Sequence, residues 1–138
     1  MTTLMEAGGE YRLRFIVEPS ELAGLRRRVA QQVRLWGIDA VVDATLLCMT
    51  ELVTNVHRHA DGRCALRLTT VRDGLVLVVS DLSRAVPVLK EPDWESGSGR
   101  GIFLVEHHAK AWSVVRTATG KDVWCLIPGP GDGRAAGC

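Results

Sequence analysis

Hydrophobic and polar positions change their spacing several times along the chain, and each change predicts an element. Tyr11-Arg-Leu-Arg-Phe-Ile-Val17 alternates before Glu18-Pro19-Ser20, the pattern of a strand that ends at a turn and lies at an edge or end of a sheet. From Ser20 the apolar residues Leu22, Leu25, Val29, Val33 and Trp36 recur every three or four positions, which predicts a helix stopped by Gly37. Asp39 is placed to cap a second helix, with Val42, Leu46, Met49, Val53 and Val56 as its apolar stripe and Asp61-Gly62 as its end beyond Ala60. Two β-branched alternating segments, Cys64 to Val71 and Leu75 to Ser80, flank Arg72-Asp73-Gly74 and predict a hairpin.

From Leu82 to Gly101 the chain holds two prolines and a Gly-Ser-Gly-Arg-Gly run, too broken for a regular element and longer than an ordinary connection. Loops of that length often serve a ligand. A short apolar helix over Ile102 to Lys110 follows, then strands over Ala111 to Thr117 and Asp122 to Ile127 joined through Ala118-Thr-Gly-Lys121. The elements together predict an α+β fold, a two-layer α/β sandwich with helices on one face of a mainly antiparallel sheet. One domain over residues 10–128 is expected, between a flexible N-terminus (1–9) and a flexible C-terminal tail (129–138) rich in Gly and Pro.

Composition narrows the function classes. At 138 residues and 46% hydrophobic the chain can close one core, and 17 Lys plus Arg against 16 Asp plus Glu leave no basic surplus for a phosphate backbone, so nucleic acid is not an expected partner. Cys48, Cys64, Cys125 and Cys138 are far apart with no C-x-x-C pair, which fits reduced thiols better than a zinc site or a disulfide framework. No leader pattern and no apolar run near the ~20 residues of a membrane span appear, so a cytoplasmic protein without a membrane partner is expected.

Three features could carry chemistry. Glu51 and Asn55 are four apart on the second helix and are expected on one face, away from the Leu46, Met49, Val53 stripe, where a carboxylate and an amide oxygen could present Mg²⁺ and a triphosphate. The plainer reading is a solvated helix face, and for the pair alone it is the stronger one. Asp81 follows the apolar strand Leu75-Val-Leu-Val-Val79, where a carboxylate at the sheet's rim could accept a hydrogen bond from an exocyclic amino group, or serve only a turn. Gly97-Ser-Gly-Arg-Gly101 runs into the helix near Ile102, so free backbone N–H groups could face phosphate oxygens; flexible loops share that composition.

In order along the chain, E-L-V-T-N-V-H-R-H-A (51–60), V-S-D-L-S-R-A-V-P (79–87), G-S-G-R-G-I-F-L-V (97–105) and T-G-K-D-V-W (119–124) resemble the motif set of the GHKL superfamily of histidine-kinase-like ATPases. More narrowly the set is similar to the stand-alone RsbW-type anti-sigma-factor serine/threonine kinases, above all the small actinobacterial versions with D-x-S-x-x-x-P. The resemblance spans about residues 10–128. It implies ATP and Mg²⁺ as cofactors, with Glu51 as the proton-handling or water-positioning carboxylate and Asn55 as a Mg²⁺ ligand. It further implies that His59, Asp81, Ser83 and Pro87 border the nucleotide, with Asp81 on adenine, and that Gly99, Arg100, Gly101 and Ile102 wrap the phosphates below a short lid. Two positions depart from the family's pattern: Leu82-Ser83-Arg84-Ala85 lacks the usual glycines, and Asp122 stands where a hydroxyl residue commonly helps hold adenine.

The activity implied is that of an anti-sigma factor and protein serine kinase acting by partner switching, which binds a sigma factor, phosphorylates a STAS-type anti-anti-sigma protein and forms a homodimer. The competing reading is a non-catalytic module of the same fold that sequesters a regulator with weak or no nucleotide binding. A sensor histidine-kinase catalytic domain fits less well, because no phosphoacceptor helix pair or membrane segment is found. His57 with His59, and His107 with His108, point in different directions on their helices and suit packing or surface roles better than a metal. Trp36, Trp112 and Trp124 read as core, and Trp94 lies in the lid, where it could touch nucleotide or a partner. Arg26-Arg27-Arg28 reads as a solvated face, its alternative a docking patch for an acidic protein.

Overall fold

The computed structural model describes residues 9–59, 61–72, 74–82, 108–118 and 120–129. Strand β1 (Glu10–Ile16) leads through a 3₁₀ turn at Pro19–Glu21 into helix α1 (Leu22–Leu35), and a second 3₁₀ turn at Asp39–Val41 leads into helix α2 (Val42–His59). Strands β2 (Arg63–Val71), β3 (Gly74–Asp81), β4 (Ala111–Arg116) and β5 (Lys121–Pro128) follow. They form one five-stranded sheet in the order β1-β2-β3-β5-β4, every pair antiparallel. This is the expected α+β architecture, with β1 at an edge as its pattern predicts.

Local chemistry sets the boundaries. Gly37 ends the α1 region with φ at +78°, a left-handed value that side chains other than glycine resist. Asp39 does not cap α2 as expected: it opens the 3₁₀ turn, whose capping position is Ile38 and carries no side-chain hydrogen bond. The β2–β3 hairpin is tighter than the sequence suggests, because Gly74 already pairs with Val71 and lies so close to β5 that a Cβ there would stand 2.0 Å from the Ile127 carbonyl oxygen. Of the predicted short helix, His108 has helical backbone but Ala109 and Lys110 do not, and residues 102–107 lie outside the described residues.

The core lies between the helices and one face of the sheet. Alternate positions Cys64, Leu66 and Leu68 of β2, Leu75, Leu77 and Val79 of β3, and Val123, Cys125 and Ile127 of β5 are buried there against Val29 and Val33 of α1 and Met49, Leu52 and Val53 of α2. Each fully buried aliphatic side chain contributes roughly 1.5–3 kcal/mol relative to exposure. Trp36 and Trp112 pack against this core, but Trp124 does not: it pairs with Val78 and Ser113 on the opposite face of the sheet and is 41% exposed. Its period-two spacing is that of Val123 and Cys125 shifted by one residue, which turns it outward. Among the described residues no helix is long and apolar enough to cross a membrane.

Candidate functional site

Helix α2 is buried over a wider arc than its apolar stripe indicates. Besides Met49, Val53 and Val56, the side chains of Thr45, Cys48 and Leu52 are buried, and so is Asn55 at 7% exposure. Cys48, Leu52 and Asn55 follow one another at four- and three-residue intervals, so the amide rides on the buried side of the helix. The plainer reading of a solvated helix face is therefore corrected for Asn55, which is buried, while Glu51 one turn before it is half-buried. Among the described residues the Asn55 Nδ2, like Thr45 Oγ1 and Trp36 Nε1, has no hydrogen-bond partner. A buried amide donor left unmatched costs about 1–3 kcal/mol, so evidence of a purpose is needed for it to stand there.

A cleft opens beside that amide. Leu52, Asn55 and Val56 of α2, Val79 and Asp81 of β3, and Lys121 and Val123 of β5 line a small pocket there, with a volume of about 10 Å³ and open to solvent. Four apolar side chains make its walls, and the polar groups come from Asn55, Asp81 and Lys121. Asp81 is the last residue of β3 rather than a residue beyond it, and it stands directly opposite Lys121 in the β3–β5 ladder. The turn before Lys121 is pressed onto this place: a Cβ on Gly120 would come within 2.2 Å of the Asp81 carbonyl oxygen. Thr117 N–H donates to the Gly120 carbonyl at 2.9 Å, and Gly120 N–H donates to Thr117 Oγ1 at 3.0 Å, closing the turn.

Three buried thiols, Cys48, Cys64 and Cys125, lie in the core. Cys64, opposite Asp81 on the other side of β3, has its pKa pushed up to about 12, first by burial and then by the Asp81 charge. Cys125 donates its S–H to Cys48, which holds the Cys125 proton well above the ordinary thiol range and lowers Cys48, against burial and the Glu51 carboxylate. Neither thiol pair nor lone thiol is a metal cage: among the described residues no three His, Cys, Asp or Glu come together as one.

The structure thus brings Asn55 and Asp81 to one cleft. Glu51 lies one helical turn from Asn55 but is not among the residues lining that cleft. His59 is the last residue of α2, and its side chain is outside the described part. Ser83, Pro87, Gly99, Arg100, Gly101 and Ile102 lie outside the described residues, as do Trp94 and His107. Asp122, read from sequence as a departure at the adenine position, pairs with Ser80 and Val115 and alternates away from the cleft, so Lys121 occupies the place next to Asp81 instead. Lys121, Leu52, Val56, Val79 and Val123 were not singled out by sequence. The signal that places Lys121 is the long-range register of β5 with β3, which sets it against Asp81. The Arg26-Arg27-Arg28 run divides: Arg27 and Arg28 are exposed, whereas Arg26 reaches across to α2, its Nη1 donating to Thr50 Oγ1 at 2.6 Å and toward the Leu46 carbonyl at 3.5 Å.

A family model described as a histidine kinase-like ATPase domain matches residues 15–127, which takes in every described element but the first residues of β1 and the end of β5. No curated protein matches the chain.

Proposed function

The chain belongs to the histidine kinase-like ATPase domain family, and from that premise we propose that it is an ATP-binding regulator of transcription, a protein serine kinase that switches between a sigma factor and a STAS-type anti-anti-sigma protein. The observation that carries the nucleotide part is the buried Asn55 amide, its nitrogen without a partner among the described residues, on the same cleft as the Asp81 carboxylate. Apolar walls from Leu52, Val56, Val79 and Val123 suit a flat heteroaromatic ring, and a carboxylate at the rim suits an exocyclic amino group. Mg²⁺ usually takes one or two protein oxygens and completes its shell with phosphates and water, and the Asn55 amide oxygen would be one of them.

Bound Mg–ATP would supply the phosphoryl group. Glu51 would accept the proton of the partner's serine hydroxyl as its oxygen takes the γ-phosphoryl group and ADP leaves, while Asn55 holds the metal end of the nucleotide and Asp81 its base. Calorimetric titration with ATP and ADP, with and without Mg²⁺, tests the foundation. Binding that Asn55→Ala weakens at least tenfold supports it, and no heat at millimolar nucleotide sinks it. Phosphate transfer to a STAS protein that is lost in Glu51→Ala while ATP still binds supports the kinase. Binding without transfer to any such protein favours the sequestering module.

Self-association belongs to the same proposal. On the outer face of the sheet Val115 of β4 and Trp124 of β5, exposed at 47% and 41%, offer apolar surface to a second copy. Sedimentation equilibrium is the check: Trp124→Glu should shift a dimer toward monomer, and an unchanged dimer would discard this face.

A further inference from the structure

The face of the sheet turned away from the described helices carries its charge on two strands. Leu13 and Phe15 of β1 and Leu66 and Leu68 of β2 pack on the core, so the alternate residues of both strands point the other way. Among them are Arg12, Arg14, Arg63 and Arg67. Arg12 lies directly opposite Arg67, and Arg14, opposite Ala65, is diagonal to both Arg63 and Arg67. Directly opposed side chains start about 4.5–5.5 Å apart and diagonal ones about 7–8 Å, so four guanidinium groups share one patch. Glu10 pairs with Arg12, and Asp61 with Arg63 at 3.6 Å. Among the described residues no carboxylate pairs with Arg14 or Arg67. Like charges set opposite each other weaken a ladder, and the whole chain carries only +1, so the cluster is a local placement rather than general basicity.

The surroundings of the patch narrow its occupant. It is two strands wide, and on the same face β3 continues with Val78 and Ser80 and β5 with Asp122 and Trp124. A nucleic-acid backbone needs a longer basic track and would meet Asp122 and apolar side chains beyond β2. A second copy stacked on the patch would set arginines against arginines. Ile16, directly opposite Arg63, is 61% exposed and puts an apolar contact at the border. Guanidinium forks bind carboxylates in bidentate fashion, and Arg14 and Arg67 have theirs to offer. We infer that the β1–β2 half of this face docks an acidic segment of a partner protein, its carboxylates on Arg14 and Arg67 and an apolar side chain over Ile16. The segment lies over the face of the sheet, on the opposite side from the Asn55 cleft, and its docking requires no nucleotide.

The test is fluorescence anisotropy of the full-length chain with a short labelled peptide of glutamate and interspersed leucine, beside the same peptide with glutamine for glutamate, single-stranded DNA of equal length, and co-sedimentation with phosphatidylserine vesicles. The acidic peptide is expected to bind, and its glutamine counterpart at least about tenfold more weakly. Arg14→Gln with Arg67→Gln should lose about tenfold in affinity for the acidic peptide, whereas Arg27→Gln with Arg28→Gln, which removes equal charge from exposed positions of α1, should stay within about twofold. Thermal unfolding should be alike in both double variants and the unsubstituted protein. Equal losses in the two double variants, equal binding of the two peptides, no binding of the acidic peptide, or tighter binding of DNA or vesicles overturns the inference. Should the first double variant not fold, Arg14→Gln alone decides: about a threefold loss is expected, and unchanged affinity contradicts the docking site.

Discussion

The two helices are similar in length and both amphipathic, yet they relate to the core differently. Helix α1 buries Val29, Ala30 and Val33 and leaves Arg27, Arg28, Gln31 and Arg34 exposed, so polar means outside almost everywhere along it. Helix α2 lies against α1 and also against β2, β3 and β5. It buries Val42, Thr45, Cys48, Met49, Leu52, Val53, Asn55 and Val56. A polar residue on α1 needs no explanation, whereas a polar residue within the buried arc of α2 carries a desolvation cost that something must offset. The contrast singles out Thr45 and Asn55, the polar residues buried on α2, without reference to any motif.

The comparison can be tested by unequal losses. Leu52→Ala on α2, where the side chain is 2% exposed, should cost about 2–5 kcal/mol in denaturant unfolding, and Leu25→Ala on α1, half-buried, clearly less. Equal losses would mean that the two helices are anchored alike. Asn55→Leu should act in the opposite direction: by removing an unmatched buried donor with little change of volume it should raise unfolding stability without ligand by about 1–2 kcal/mol while abolishing nucleotide binding. A destabilised Asn55→Leu chain would show that the amide supports the fold rather than a ligand. The smallest effect concerns the link between the helices. Arg26→Ala, which strips Thr50 of its donor, should cost about 1 kcal/mol, whereas Arg27→Ala, one residue along and exposed, should stay within about 0.5 kcal/mol.

The sequence predicts every described strand and helix to within a few residues, because period-two and period-3.6 patterns are strong where one face is wet. The sheet order follows less directly: β5 between β3 and β4 is a long-range pairing that no local pattern encodes. Reading failed where side was the question. The spacing sets Asn55 apart from the Leu46, Met49, Val53 stripe, but a helix covered from two directions buries a wider arc than its stripe. Trp124 was expected inside because large aromatics usually are, yet the register that buries Val123 and Cys125 turns it out. Lys121 is not legible as a cleft residue for a third reason, since its partner Asp81 is 40 positions away and only the register of β3 with β5 makes them neighbours.

The strand order also gives the sheet two unlike margins. At one, β1 holds Arg12 and Arg14, and Arg12 faces Arg67 across the ladder while pairing with Glu10. Such concentrated charge on a terminal strand discourages a further strand from docking. At the other, β4 shows Val114 and Val115 at 40% and 47% exposure beside Ser113, with no charge before Arg116. Among the described strands, β4 is therefore where aggregation by strand addition would begin, and a lysine at Val115 is the gatekeeper this margin lacks.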